Sequence, residues 1–229
     1  MAIKVTNISI QSILKSDRFE PRFHHVFKKF EEYEKSSNHQ ILKFGDEKIL
    51  RKITDGEHAG QTFVKNGIRF LKNSAIKDFS INLYDGFYIT EQKHLEQKRS
   101  ALKPLDILFT TIGHLGSTAI VPEAFGEANI NQNVVKIEVN KSFIDPYYLT
   151  AYLNANTTKK QIGALFTGNV HSIITYPKIK NIRIIIPDKF FQKSISKKYK
   201  AALDFEQRFH ITIKKAKETF YQKIGINFS

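Results

Sequence analysis

Side chains that can donate and accept hydrogen bonds side by side, or that carry a fixed positive charge, gather in three stretches of this chain. The first is Ile53-Thr54-Asp55-Gly56-Glu57-His58. Its Asp-Gly pair reads as a turn that ends a strand at Leu50–Ile53 and exposes Thr54, Glu57 and His58. Lys65, Arg69, Lys72 and Asn73 follow close behind. The second is Thr110-Thr111-Ile112-Gly113-His114-Leu115-Gly116, where two glycines let the backbone approach a ligand and Thr111 and His114 are candidates to meet phosphate or base. The third is the polar loop Thr167-Gly168-Asn169-Val170-His171-Ser172. Groups of this kind on loops are what direct reading of base edges requires. Each stretch also has a plain reading as a turn, a hairpin or a surface connection. The amides of Asn129, Asn131, Gln132 and Asn133 can bond adenine bidentately; tying backbone edges together inside the domain is the preferred reading.

Catalytic chemistry is harder to find. Metal-dependent nuclease sites need clustered carboxylates with a nearby lysine. Asp46-Glu47-Lys48 and Glu138-Val139-Asn140-Lys141 are the local candidates, and neither has that spacing. The eight histidines are scattered, with no metal-ligand spacing to a carboxylate. Asp145-Pro146-Tyr147-Tyr148 has one proline where a loop gripping an exocyclic amine would carry two, and it reads as a helix start with Asp145 as cap. No glycine-rich strand-to-helix loop or Walker-type lysine suits a nucleotide. No catalytic residue, metal ligand or cofactor is assigned, and a nuclease built on Asp46, Glu47 and Glu138 is kept as the enzymatic alternative.

The elements that must position these loops follow from periodicity. Phe19, Phe23, Phe27 and Phe30 lie along one side of a helix that Pro21 opens, and that side is expected to dock on the core. Between residues 41 and 140, apolar runs at Ile41-Leu42, Ile68–Leu71, Phe87–Ile89, Ile107–Phe109, Ala119–Val121 and Val134–Val139 alternate with Gly-containing turns. Helical spacing takes over at 145–165, and a last strand, Ile182–Ile186, stops at Pro187. The expected fold class is therefore α+β: a strand-rich, mixed-sheet domain over residues 1–187 with flanking helices, then one long helix over 188–229.

That last segment is unusual. From Asp188 to Lys223 it has neither Pro nor Gly, and Ile195, Tyr199, Ala202, Glu206, Phe209, Ile213, Ala216 and Phe220 alternate spacings of four and three. This is the rhythm of a coiled-coil seam, broken only by Glu206. Such a helix is about 50 Å long, more than a small domain covers. Its stripe is expected to meet another helix or another chain.

Charge points the same way as the loops. Thirty-six basic residues oppose 22 acidic ones, a net +14, and half of the excess sits in residues 189–229. Such an excess suits a polyanion, most often nucleic acid. RNA or general polyanion binding stays open beside duplex DNA. The absence of cysteine excludes disulfides and Cys-ligated zinc. No run approaches membrane-span length and the N-terminus lacks a secretory signal, so a cytoplasmic protein is expected.

Taken in order, several strings resemble the target recognition domain of type I restriction-modification specificity subunits. They are ITDGEH (53–58), VKNGIRFLKNSAI (64–76), YIT (88–90), LKPLDILFTTIGHLGSTAIVPE (102–123), ANINQNVVKIEV (128–139), DPYYLTAYLNA (145–155), KKQIGALFTGNVHSII (159–174) and IKNIRIIIPDKFFQKSI (179–195). The likeness spans roughly residues 40–222. One departure is Leu105, where the family usually has glycine. The resemblance implies a non-catalytic subunit that reads double-stranded DNA and directs methyltransferase and restriction subunits to a bipartite site. It also implies two recognition domains and two antiparallel helices in a full-length subunit. One domain and one helix thus look like half a subunit, completed as a homodimer through Ile195–Phe220. A module of a longer subunit, or of a fused restriction-methylation enzyme, is the alternative. The DNA-contacting set expected on these grounds is Thr54, Asp55, Gly56, Glu57, His58, Lys65, Arg69, Lys72, Asn73, Thr111, His114, Gly168, Asn169 and His171.

Overall fold

A computed structural model describes residues 9–16, 21–58, 60–83, 86–165 and 173–224. The central sheet has four strands, β2 (Leu50–Asp55), β5 (Ile107–Thr110), β6 (Thr118–Ile120) and β8 (Val134–Val139), in the order β2-β8-β5-β6 with every pair antiparallel. A second, mixed sheet runs β4-β3-β7, where β3 (Ile68–Leu71) pairs antiparallel with β4 (Tyr88–Ile89) and parallel with β7 (Ala128–Ile130). A third pairs β1 (Gln40–Lys43) with β9 (Arg183–Ile186). Both faces of β5 are buried: Ile107 and Phe109 enter the main core, which helices cover, while Leu108 joins Leu71, Ala119 and Ile130 in a second core against the mixed sheet. This is the period-two alternation of a strand covered on both sides.

Helices close the remaining face. In α2 (Pro21–Ser36), Phe27 and Phe30 are buried and Phe23 packs half-buried on the main core, as the spacing of the rings requires; Phe19 lies outside the described residues. The segment 145–165 is two helices, α4 (Pro146–Asn154) and α5 (Asn156–Leu165), parted at Ala155. Asp145 caps α4 by accepting from the N–H groups of Tyr147 and Tyr148, with Pro146 at the first helical position. Side chains of these helices also seal β9. The hydroxyls of Tyr148 and Tyr152 donate to the carbonyls of Ile185 and Arg183, and the Gln161 amide bonds both backbone groups of Arg183. Asn154 does the same for Thr118, donating to its carbonyl at 2.7 Å and accepting from its N–H at 3.3 Å.

Three short helices, α1 (Ile10–Ser16), α3 (Glu91–Glu96) and α6 (Tyr176–Lys180), and the strand β7 carry no strong periodic signal and are additions to the sequence-based expectation. Leu105 has φ 69°, the left-handed conformation that glycine adopts without steric cost. The glycine usual in the resembled family suits that backbone.

The chain ends in α7 (Lys189–Ile224), 36 residues and about 54 Å long. Its first turns belong to the domain, because Gln192, Ser196 and Tyr199 are buried against α4 and its surroundings. The Gln192 side chain accepts from the Asp145 N–H and donates to the Pro187 carbonyl. From Asp204 onward, almost every side chain is exposed. Among the described residues no helix is long and apolar enough to cross a membrane.

Candidate nucleic-acid interface

The amide-rich stretch 129–133 is the hub of the site. Asn129 is fully buried. Its Nδ2 donates to the Gln97 carbonyl (3.0 Å) and Ser100 Oγ (2.8 Å), and its Oδ1 faces His94 Nδ1 at 2.6 Å. An acceptor on that side requires the Nδ1–H tautomer of His94. The backbone then fans out. Asn131 N–H donates to the Leu71 carbonyl, Gln132 N–H to the Glu57 carbonyl, and Thr111 N–H to the Asn133 carbonyl. In return, Glu57 N–H donates to Ile130 and Gly56 N–H to Val134. Three sequence-distant stretches are thereby fixed to one edge of the domain. The Asn129 side-chain amide takes the expected internal tying role, whereas at 131–133 it is the backbone groups that do the tying.

The stretch 53–58 departs from expectation. It is no exposed turn: β2 continues through Asp55, and residues 56–57 run on beside β7 and the segment after it, Glu57 bridging Asn131 in parallel. Thr54 is only 6 % exposed, which corrects its placement as a surface contact. Gly56 is required here for close packing, since a Cβ would run into the carbonyl oxygens of Ile130 and Asn131. Exposure resumes at His58, whose side chain is 76 % exposed and lies 3.5 Å from Asp55.

Arg99, which no motif singled out, grips this segment. Its Nη1 donates to the Asp55 carboxylate (2.5 Å) and carbonyl (3.1 Å), and its Nη2 donates to the Gly56 carbonyl (3.1 Å) and lies 3.8 Å from Glu57. Partial burial opposes the charge of Asp55, but the Arg99 contacts and a Tyr176 hydrogen bond outweigh it, holding the carboxyl below its usual range. Burial and the facing Asp55 charge push the Tyr176 hydroxyl up to about 12. The available signal was only a run of acidic side chains at 55 and 57 needing a cation.

The second loop is anchored beneath its tip. Thr111 is 6 % exposed and both of its backbone groups are engaged, by Asn133 and by Ile174, which corrects its role as a surface contact. Thr110 Oγ1 donates to the His114 carbonyl, and Lys159 Nζ reaches the Gly116 carbonyl (2.6 Å) and Asp78 (2.8 Å). Gly113 and Gly116 have φ 82° and 73°. His114 stays exposed. Asn73, just past β3, donates from Nδ2 to the Ile112 carbonyl at 3.3 Å, joining its own stretch to this loop. Gly168, Asn169 and His171 lie outside the described residues; the chain on their C-terminal side is fixed to Thr111 through Ile174.

Positive charge borders the same edge. The Lys72 ammonium stands 3.4 Å from the Phe87 ring centre and 4.8 Å from that of Phe63, and the Arg69 guanidinium 5.4 Å from Phe125. These ring contacts orient the two cations. Lys65 is exposed beside Val64, which bridges Tyr88.

The carboxylates of the nuclease alternative sit in structural places. Asp46 accepts from the Lys48 N–H, and Glu138 lies on β8 across from Lys52. Among the described residues no three His, Asp or Glu side chains are placed to hold a metal ion.

The stripe on α7 divides in two. Ile195 is half-buried, and Tyr199 is buried on the chain's own Tyr147, with its hydroxyl donating to the Phe79 carbonyl. Ala202, Phe209, Ile213, Ala216 and Phe220 are exposed, Phe209 by 61 % and Phe220 by 58 %.

The α+β domain thus ties its loops to one edge bordered by cations, and a long helix projects from it. Residues 31–216 match the type I restriction modification DNA specificity domain, and the chain belongs to that family. It is 27 % identical over 183 residues to a Methanocaldococcus jannaschii protein named as a type I restriction enzyme MjaX specificity subunit, a match covering 79 % of this chain and 40 % of that protein. In fold it is similar to the type I restriction-modification S subunit from M. genitalium (TM-score 0.57, 12 % identity, 79 % of this chain and 43 % of that one). It is also similar to the HsdS subunit from Thermoanaerobacter tengcongensis (TM-score 0.50, 16 % identity, 90 % and 49 %). The chain thus spans about two fifths of the curated relative's length and under half of either solved subunit.

Proposed function

We propose that this chain is a non-catalytic DNA sequence-recognition module that reads one half of a split duplex site. The observation that carries this is the hub at Asn129–Asn133, which holds the 55–58, 69–73 and 111–114 stretches on one edge with their backbones satisfied. Rigid presentation lowers the ordering cost of binding and leaves polar side chains free for base edges. The proposed contacts are His58, Lys65, Arg69, Lys72 and His114, with Gly168, Asn169 and His171 joining from the third loop. Asp55, Gly56 and Glu57 shape the edge, and Asn73 fixes a loop.

The recognition unit takes in the first turns of α7, and the exposed remainder from about Ala202 onward serves assembly. Two copies join there, each reading a half-site of a symmetric split sequence. Methyltransferase and restriction subunits of a type I system supply the chemistry. The match to under half of each relative equally suits one module of a longer subunit.

Titrating labelled duplex DNA with the chain at several salt concentrations tests this. Affinity is expected to fall with a log–log slope of roughly −0.9 for each phosphate neutralised, with one duplex sequence strongly preferred over others. Equal affinity for all duplexes and for RNA, or magnesium-dependent cleavage abolished by Glu138→Ala, would remove the proposal.

A further inference from the structure

We infer that Phe63 reads the C5-methyl group of a thymine in the major groove, which makes it a specificity-determining residue outside the set expected from sequence. This rests on the DNA-recognition reading above and adds one apolar base contact to it. Phe63 lies between two proposed contacts in the chain, His58 and Lys65. It also lies beside a third, because the Lys72 ammonium stands 4.8 Å from its ring centre. The ring is nonetheless 38 % exposed. The backbone that carries it is fixed on both sides. Gln61 donates to the His58 carbonyl (3.2 Å) and accepts from the side-chain amide of the buried Gln97 (2.9 Å). On the other side, Val64 N–H donates to the Tyr88 carbonyl at 2.9 Å.

The ring also has a rigid floor. It packs on Phe70, with 5.6 Å between ring centres, and on Phe87 at 5.0 Å. Phe70 is 2 % exposed and sits in register with Asn129 on β7, so the floor belongs to the hub itself. A small apolar surface is thus held open among cations. Its complement is a partner that presents phosphate and an apolar group close together. The major groove has one such group, the thymine methyl. That methyl projects near the phosphates of its own strand, so a ring and an ammonium side by side can meet methyl and phosphate at once. Lys72 takes the phosphate and carries no base preference. An apolar wedge driven between base pairs is the other use of phenylalanine on DNA. A wedge needs a ring clear on both sides, whereas Phe70 and Phe87 leave only part of Phe63 open. A methyl contact also tells DNA from RNA, whose uracil lacks the group.

The experiment measures the affinity of the intact chain for its preferred duplex and for copies in which each thymine in turn is replaced by uracil. That replacement removes one methyl group and leaves every hydrogen-bonding atom in place. Phe63→Ala, Phe63→Gln and Lys72→Ala are compared with the unaltered chain; Phe63→Gln keeps bulk over Phe70 and Phe87 and decides the matter if Phe63→Ala does not fold. In the unaltered chain, one uracil is expected to weaken binding about fourfold, the size of one buried methyl group. The Phe63 variants should not respond to that uracil. Lys72→Ala should bind more weakly throughout yet keep the fourfold response. A response that persists in the Phe63 variants, no response at any thymine, or a preferred duplex without thymine each overturns the inference while leaving sequence recognition standing. Absence of any preferred duplex overturns both.

Discussion

The amide-tied edge and the outer half of α7 are both exposed, but for opposite physical reasons. At the edge, backbone groups are bonded to one another and the exposed atoms are polar or charged: His58, His114 and the cations that Phe63, Phe87 and Phe125 hold in place. Such a surface is stable in water and gains from a polyanion through charge and shape. On α7 the backbone is equally satisfied, yet Phe205, Phe209, Ile213 and Phe220 face solvent without help from the domain. A contiguous exposed apolar stripe of this kind marks a surface that gains from being covered by another apolar surface. The proposed division of binding follows from this difference: nucleic acid at one region, protein at the other.

The largest effect is expected from breaking the edge. Gly56→Ala drives a methyl into the backbone of Ile130 and Asn131 and should cost about 3 kcal/mol or more, read as a lowered urea midpoint. A loss below about 1 kcal/mol would mean that the close approach is not needed. Next comes the helix. Ile213→Asp should weaken pairing at least tenfold, about 1.4 kcal/mol, by solution mass, while leaving the domain's unfolding curve unchanged. If both moved together, the outer half of α7 would be part of the domain after all.

Smaller changes sharpen the division. The Asp55 carboxyl is held below its ordinary pKa, so its contribution is complete above the unfolded value of about 4 and is lost as pH falls towards the lowered one. Arg99→Met should remove that acid-side loss and cost at most about 1 kcal/mol at neutral pH, because the pair is partly exposed. Urea midpoints compared between pH 5 and pH 3 test it. Lys72→Ala should lower duplex affinity a few-fold for all sequences alike and reduce the salt slope by about one, without changing the mass of the assembly.

The strands β3, β5 and β8, the capped start of α4 and the full run of α7 were legible because apolar period, caps and missing breakers agree locally. β7 was not. Its three residues become a strand by pairing with β3, some sixty positions earlier, and the buried Asn129 there resembles a surface amide until its partners are known. α3 has no apolar face to announce it and depends on the Thr90 cap. The site was half legible for the same reason. His58 and His114 are exposed as expected, whereas Thr54 and Thr111 are buried by neighbours far away in sequence. Asp-Gly marked a true constraint but suggested the wrong cause: a turn, where the structure has a close backbone crossing. Arg99 sits in a charged stretch with nothing local to distinguish it.

One selection tests the central claim most directly. The intact chain is incubated with a pool of randomised duplexes at near-physiological salt, and the bound fraction is sequenced over several rounds. Recognition by the hub-tied edge predicts one enriched short sequence, present as two inverted copies at a fixed spacing, with the second copy no longer required in Ile213→Asp. A bound pool as random as the starting one would contradict the account.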